Sequence, residues 1–376
     1  MKKRIIGLDL VKGIAMFLVV MLHYSFYTMY YSDGIAGTLV TVLCVPCVPL
    51  FFMVNGALLL PREKRDGHYA KVIRMIVVML IWKVLAALFF VSVGSDGQVV
   101  TLKSFVTYLL GGNLGSYPTG YFWFMNALIG IYLLFPLVKM AFDAEGSLAL
   151  RCLVLVLFTF TVGKDTLKLV LQVVGMATGH DFASIVGSLG EFYLFGQYGY
   201  TLLYFIAGGL IKQIVFDQEG HADALRLRLA RWKDRRGTLI VTAIVCYGCT
   251  FLVQRFQHIS QGINLTVTDG YWLLPTFVGS IAGFLLLCPV NIKDGIAKKV
   301  VTTVGNNTYG VYMLHIFALV IFSWFQRTEA FYFMGGLPGY AATLVNVACA
   351  LVLFSCCCAV SALLRRVPLV GRLFAL

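Results

Sequence analysis

The chain carries little charge for its length. Only 12% of its 376 residues are charged, whereas soluble domains carry about 25%. Acidic residues are the scarcer sign, with 17 Asp and Glu against 30 Lys and Arg, and there are only 9 prolines. No Pro- or Ser-rich linker, and no polar block long enough to fold alone, separates the apolar runs. With 60% hydrophobic residues, this composition excludes a soluble protein and indicates an all-α membrane protein that crosses the bilayer many times.

The apolar runs predict about ten membrane-spanning helices in one helical bundle. Assigning both termini and alternate loops to the cytoplasm places most of the lysines and arginines there, which is the positive-inside pattern. Membrane topology therefore explains the basic excess, and we expect no nucleic-acid binding. We expect residues 1–376 to form a single multi-pass domain of the cell membrane, with an uncleaved first span, cytoplasmic N- and C-termini and no separate soluble domain. The predicted spans are roughly 8–30, 38–60, 72–93, 121–140, 149–164, 197–213, 238–256, 271–289, 302–325 and 339–364.

Three connections between the predicted spans are long. The cytoplasmic one, at roughly 214–237, predicts a short amphipathic helix that binds the anionic lipids of the inner leaflet. Two outer connections, at roughly 94–120 and 164–196, are rich in Gly and Tyr. They are either cavity-lining or acceptor-facing elements or ordinary solvated loops, because non-helical backbone inside a bilayer must be buried in protein. The basic residues of the cytoplasmic connection are Arg226, Arg228, Arg231, Lys233, Arg235 and Arg236.

Cysteine forms two C-x-x-C spacings, Cys44 with Cys47 and Cys246 with Cys249. Both lie in apolar segments without a convergent His or carboxylate, where Cys is most often a small packing residue. We therefore expect no metal site and no permanently bound cofactor.

The first predicted span carries three ionisable side chains: Asp9, Lys12 and His23. Lys12 and His23 lie within roughly 20° of one helix face and about 16 Å apart along the axis. His23 therefore lies near mid-depth of the ~30 Å hydrocarbon core. An ionisable group at that depth indicates a functional site, and hydrogen bonding between packed helices is the alternative. Asp9, roughly 20 Å from His23 along the axis, is predicted to pair with Lys12.

The third predicted span begins with a basic pair. Lys71 and Arg74 are three residues apart and are neighbours on one helix face. Positive charge at a helix N-terminus opposes the helix dipole, so this placement needs another cause. Positive-inside topology supplies one, and an anionic ligand such as a phosphate supplies another. Asn55 lies near the cytoplasmic end of the span before it.

The ninth predicted span contains a second mid-depth histidine. Thr308, Tyr312 and His315 recur at i, i+4 and i+7 and share a face. Packing between helices explains His315 as well as a role in a site does. Trp123 opens the fourth span, at the expected interfacial aromatic belt.

Four stretches, in order, resemble the membrane acyltransferase 3 family, the bacterial integral-membrane O-acyltransferases that modify cell-envelope sugars. The resemblance covers nearly the whole chain and implies ten spans with cytoplasmic ends. The chain has Lys12 where Arg is more usual, Asn55 where Ser is common, and Asn307-Thr308 where Ser often precedes Tyr. The stretches are Asp9-x-x-Lys12 with His23, PLFFMVNGALLL followed by Lys71-x-x-Arg74, YFWFMNALIGIYLLFP, and NNTYGVYMLH.

The resemblance implies transfer of an acyl group, acetyl as the family-level default, from cytoplasmic acyl-CoA to a hydroxyl of an envelope glycan at the outer side. His23 is the expected catalytic base or transient acyl carrier, because a neutral imidazole accepts a proton at neutral pH. Lys12, Lys71 and Arg74 are expected to hold the polyanionic donor. No hydrolase-like domain follows the last span, so we expect any separate transfer partner to be another protein of envelope biosynthesis. The expected supporting residues are Asp9, Asn55, Trp123, Tyr309, Tyr312 and His315.

Two other classes of protein share part of this pattern. A transporter or exporter of an envelope sugar or lipid precursor also has Gly-rich breaks and mid-depth histidines, but it predicts an inverted internal repeat. The Lys12 and His23 pattern has no counterpart near the sixth span. A membrane sensor or assembly factor without turnover would tolerate replacement of His23, whereas the enzyme would not.

Overall fold

The computed structural model describes residues 4–31, 34–62, 67–94, 99–144, 148–193, 195–196, 198–216, 235–259 and 270–375. Over these residues the secondary structure is helical and contains no strand. The α-helices are α1 (Ile6–Tyr27), α2 (Ile35–Cys44), α3 (Cys47–Leu59), α4 (His68–Val93), α5 (Leu102–Leu109), α6 (Trp123–Asp143), α7 (Leu148–Phe158), α8 (Lys164–Thr178), α9 (Ala183–Gly187), α10 (Gly199–Phe216), α11 (Arg236–Ile259), α12 (Leu274–Leu287), α13 (Ile296–Phe325) and α14 (Gly339–Leu364).

Eight helical segments in the described ranges are long and apolar enough to cross a membrane. They contain α1, α2 with α3, α4, α6, α10, α11, α13 and α14. The predicted polytopic helical membrane protein is therefore confirmed. The two remaining predicted spans correspond to shorter helices. The span at 149–164 is α7 with a π-helical turn at Thr159–Gly163, and the span at 271–289 is α12, whose 14 residues rise about 21 Å.

The second predicted span is divided in two at Pro46. This residue precedes the first residue of α3, and proline cannot donate the backbone hydrogen bond that would continue α2 through it. The division gives α3 its own start at Cys47. As a result, α3 runs as a separate helix beside the central cavity described below.

The first helix is central to the bundle, because α1 packs against α3, α13 and α14. Its neighbour α3 also packs closely on α10 through two glycines. A Cβ atom at Gly56 would lie 1.7 Å from the carbonyl oxygen of Phe205, and one at Gly208 would lie 1.9 Å from that of Met53. The backbones of α3 and α10 are therefore in direct contact, as small residues allow between membrane helices.

The segment after α14 returns across α4. Trp82 donates its indole N–H to the carbonyl of Leu373 at 2.9 Å, and its ring meets Phe374 edge-on at 5.2 Å between centroids. Phe374 is only 3% exposed. This return brings Arg365, Phe374 and Ala375 to one wall of the central cavity.

The three long connections differ in how much of them the structure describes. The connection at 94–120, predicted to be outer, contains α5 and leads into a 3-10 turn at Gly120–Phe122. The connection at 164–196, also predicted to be outer, contains α8 and α9, so both are partly helical. The predicted amphipathic helix lies outside the described residues from Arg226 to Lys233. The cytoplasmic location of the termini stays a prediction.

Candidate active site

One cavity of about 390 Å³ passes through the middle of the bundle between α1, α3, α4, α6 and α13. Lys12 lines one end, and His23 lies about three helical turns further along α1. We name the two regions the Lys12 end and the His23 end. Much of the wall between them is apolar, with Leu22, Val54 and Leu128 among its members. The polar or charged lining residues are Lys12, His23, Asn55, Arg62, Lys71, Tyr121, Trp123, Tyr132, Tyr271, Asn306, Thr308, Tyr309, Tyr312 and Arg365.

Positive charge is concentrated at the Lys12 end. Four cationic side chains line the cavity, and they come from four places in the chain: Lys12 on α1, Arg62 after α3, Lys71 in the first turns of α4, and Arg365 after α14. Among the described residues that line the cavity there is no carboxylate. This end is therefore suited to an anionic ligand.

Asp9 neutralises part of this charge from behind the cavity wall. Its carboxylate is 4% exposed and lies 2.7 Å from Lys12 Nζ, so the predicted Asp9–Lys12 pair is confirmed. Arg4 also donates to Asp9 and reaches the Oδ1 atom of Asn306 at 2.7 Å. Gly305 makes room for Asp9, because a Cβ there would lie 2.7 Å from the Asp9 Cβ. Asp9 therefore orients Lys12 and links α1 to α13.

Arg74 lies outside the cavity lining. Its guanidinium donates to the carbonyl of Ala375 at 3.1 Å, and Ala375 itself lines the cavity. Arg74 therefore contacts the wall of the cavity from outside and does not enter the cavity. Arg365 is held in a similar way, because it donates to the carbonyl of Asn306.

A chain of hydrogen bonds lies in the cavity wall beside Lys71. Tyr132 donates its hydroxyl to Asn55 Oδ1 at 2.9 Å, and Asn55 donates its own amide to the carbonyl of Phe51 at 2.9 Å. His68 donates from Nε2 to the carbonyl of Tyr132 at 2.7 Å. The ammonium of Lys71 lies 5.9 Å from the centre of the Tyr132 ring, within the range of a cation–π contact.

The tautomer of His23 follows from its hydrogen bond. Nδ1 lies 2.9 Å from the carbonyl oxygen of Val19, one turn earlier on α1. A carbonyl oxygen only accepts, so Nδ1 carries the proton and Nε2 keeps its lone pair. Among the described residues, Nε2 has no hydrogen-bond partner. His23 therefore presents an unpaired basic nitrogen beside the cavity that its ring lines.

His315 lies directly against His23. The ring centroids are 4.9 Å apart and the planes are nearly perpendicular. His315 donates from Nδ1 to the carbonyl of Tyr312 at 2.6 Å, and its buried Nε2 has no partner in the described part of the chain. Tyr312 in turn donates its hydroxyl to the carbonyl of Tyr121 at 2.5 Å. Helices α1, α13 and the start of α6 therefore meet at this pair of imidazoles.

Two tyrosine hydroxyls at the cavity also have no partner. The hydroxyls of Tyr121 and Tyr309 are buried and unbonded among the described residues, and both rings line the cavity. Tyr121 meets His315 at 5.5 Å between ring centroids. Buried polar groups are normally satisfied. Together with Nε2 of His23, these two hydroxyls are groups at one cavity without a partner among the described residues, and they indicate the place of a polar ligand.

The structure brings most of the sequence-predicted site residues to one cavity. Arg62, Arg365, Tyr121 and Tyr132 also line it but were not predicted as site residues. Arg62 was indistinguishable from ordinary positive-inside charge, and Arg365 reaches the site only because the segment after α14 turns back. The predicted residues in the lining are Lys12, His23, Asn55, Lys71, Trp123, Tyr309 and Tyr312, and those outside it are Asp9, Arg74 and His315.

Comparison with known proteins identifies the family of the chain. A family model described as an acyltransferase domain, acyltransferase 3, matches residues 5–363. No curated protein and no solved structure matches the chain. Because the family model covers almost all of the residues, the chain belongs to the acyltransferase 3 family and is a membrane acyltransferase.

Proposed function

We propose that this acyltransferase moves an acyl group, with acetyl as the simplest case, from cytoplasmic acyl-CoA to a hydroxyl of a cell-envelope glycan. One observation carries the proposal: a single cavity connects four cationic side chains at the Lys12 end with the unpaired Nε2 of His23. In this proposal the Lys12 end binds the donor, and the reaction takes place at the His23 end of the same cavity.

The Lys12 end suits the phosphates of coenzyme A. Arginine grips phosphate through a planar fork of donors, and lysine acts as a point charge. Arg62 and Arg365 supply two forks, and Lys12 and Lys71 supply two point charges. The apolar middle of the cavity then suits the pantetheine arm, which brings the thioester towards His23.

His23 is placed to accept a proton from the acceptor. In direct transfer, Nε2 takes the hydroxyl proton while the hydroxyl oxygen attacks the thioester carbonyl. The new C–O ester bond forms, the C–S bond breaks, and the coenzyme A thiolate leaves and takes up the proton from His23. In the route through an acyl-enzyme, the same Nε2 attacks the carbonyl first, the N–C bond forms, the C–S bond breaks and the coenzyme A thiolate leaves. The hydroxyl oxygen then attacks the acyl carbon, the C–O bond forms, the N–C bond to His23 breaks, and the thiolate takes up the hydroxyl proton. Both routes use the nitrogen that the Val19 hydrogen bond leaves unprotonated.

Negative charge develops on the thioester oxygen in either route. The hydroxyls of Tyr121 and Tyr309 have no partner in the described part of the chain, and tyrosine hydroxyls serve as oxyanion donors in enzymes. We assign them to that oxygen. His315 is a positioning residue, because it packs on His23 and ties α13 to it without lining the cavity.

The test measures acetyl-CoA binding and turnover by purified wild type, His23→Ala and the matched control His180→Ala. His180 is exposed and does not line the cavity. We expect wild type and His180→Ala to bind acetyl-CoA and consume it slowly. We expect His23→Ala to bind it equally well and to lose turnover by at least 100-fold, as removal of an acid–base group does.

Two results would contradict the proposal. If His23→Ala keeps wild-type turnover, His23 is not the reacting group. If wild type neither binds nor consumes acetyl-CoA, while labelled sugar or lipid crosses vesicles that contain it, the protein works as a transporter.

A further inference from the structure

A second pocket adjoins the central cavity at Trp123. It measures about 290 Å³, and Trp123 is the residue that lines both spaces. The pocket lies between the loop that follows α5 and the first turns of α6. Its lining residues are Gly111, Gly112, Asn113, Thr119, Gly120, Phe122, Trp123, Asn126 and Tyr198.

The lining of this pocket is polar, and none of the described residues that form it has a charged side chain. The polar lining consists of the amides of Asn113 and Asn126, the hydroxyl of Thr119 and the backbone of three glycines. Asn113 is exposed and its amide makes no hydrogen bond to the described residues. The pocket therefore offers donors and acceptors to a neutral, hydroxyl-rich ligand, in contrast to the cations of the Lys12 end.

Two stacked aromatic rings supply the apolar wall. The rings of Trp123 and Tyr198 are 5.4 Å apart and nearly parallel, at 16°. Trp123 also stacks on Tyr271, which lines the central cavity. Trp and Tyr combine an apolar ring with a polar group. Because Trp123 stacks on both tyrosines, the ring surface left for the C–H face of a pyranose is that of Tyr198, which is 36% exposed. The amides would bind the hydroxyls of the same sugar.

The glycine loop of the pocket is anchored by a fully buried lysine. Lys83 on α4 is 0% exposed and donates to the carbonyls of Tyr108 and Leu109, at 2.8 and 3.4 Å. These carbonyls end α5, where the helix dipole favours a cation. Tyr108 returns a hydrogen bond to the Lys83 carbonyl at 3.1 Å. Asn126 then holds Gly111, whose φ of 131° favours glycine, through a 3.4 Å bond.

We propose that this second pocket binds one sugar ring of the acceptor and presents its hydroxyl to the His23 end across Trp123. The transfer of an acyl group to this sugar rests on the proposed function. The binding of the sugar is argued from the lining of the second pocket alone. A volume at the lower limit of small-molecule sites, about 300 Å³, suits a single ring. The lack of a cation among the described lining residues favours a neutral ring over a phosphate-bearing part of the acceptor, and the amides disfavour a lipid chain.

The test is saturation-transfer NMR with five methyl pyranosides: the α-anomers of glucose, galactose, mannose, N-acetylglucosamine and N-acetylgalactosamine. The protein is held in lipid nanodiscs, because glycoside detergents would compete for the pocket. The variants are Asn113→Ala and Tyr198→Ala, which alter the pocket without touching the lining of the central cavity. Tyr332→Ala is the matched control, since Tyr332 is 61% exposed and lines neither space.

We expect at least one pyranoside to receive saturation from wild type and from Tyr332→Ala. The signal should fall at least fivefold in Asn113→Ala and in Tyr198→Ala, with acetyl-CoA binding unchanged in both. The proposal is overturned if both pocket variants keep the wild-type signal, or if wild type gives no signal with any of the five. If wild type does not bind acetyl-CoA at all, the proposed function is overturned instead, whatever the sugar signal.

Discussion

Replacing Lys71 by methionine should weaken the binding of acyl-CoA without altering the chemistry. Lys71 lines the Lys12 end, and no carboxylate among the described residues pairs with its ammonium. Its charge is therefore available to a phosphate. Methionine keeps the length and the apolar stem of the side chain and removes only the charge.

The expected size of the effect follows from the environment of Lys71. A hydrogen bond to a charged group contributes about 1.5–3 kcal/mol, and water-exposed pairs contribute about 1 kcal/mol or less. Because Lys71 is exposed at the mouth of the cavity, we expect its contribution to the binding free energy to lie near the boundary between these two ranges. At about 1.4 kcal/mol per tenfold change, the Kd for acetyl-CoA should rise about tenfold.

The assay compares two donors and two variants. S-acetylpantetheine carries no phosphate, so its turnover by Lys71→Met should match that by wild type. Lys298→Met is the control for a change of net charge, because Lys298 pairs with Asp294 outside the cavity and that hydrogen bond lowers the pKa of the Asp294 carboxyl. Lys298→Met should bind acetyl-CoA as wild type does. Equal losses with both donors would show that Lys71 does not bind the phosphates and would refute the reasoning.

Three further substitutions test other parts of the site. Tyr309→Phe should lower kcat about 100-fold with little change in the KM for acetyl-CoA, because it removes an oxyanion donor; an unchanged kcat in steady-state assays would remove Tyr309 from the mechanism. Tyr132→Phe should lower stability by about 1 kcal/mol, since its hydroxyl no longer holds Asn55, and an unaltered unfolding midpoint would contradict that role. Gly56→Ala should lower the midpoint sharply, because its Cβ meets backbone at 1.7 Å, whereas Gly283→Ala, with open space around it, should not. Similar midpoints for these two alanine variants would argue against direct contact between α3 and α10.

The helical class of the fold and the polar face of α1 were predictable from the sequence, because both depend on local residue patterns. The spacing of Lys12 and His23 placed them on one face, and both line the cavity. The Asp9–Lys12 pair was also predictable, since it joins residues one turn apart. Likewise, the periodicity of α13 placed Thr308 and Tyr312 on the side that faces this space.

The rest of the site depends on contacts between distant segments. Arg365 enters the cavity because the segment after α14 folds back over α4, which no local pattern indicates. Arg74, although one turn from Lys71, is drawn to the Ala375 carbonyl of that same segment. The contact of His23 with His315 joins two histidines whose separation in the chain gave no sign of proximity.

The proposed donor site is tested most directly by a cryo-EM structure with a non-hydrolysable thioether analogue of acetyl-CoA, determined in lipid nanodiscs. We expect the phosphates among Lys12, Arg62, Lys71 and Arg365, with the acyl end of the analogue beside Nε2 of His23. Density for the analogue elsewhere on the protein, with this cavity empty, would contradict the central claim that one space joins the donor site to the reacting histidine.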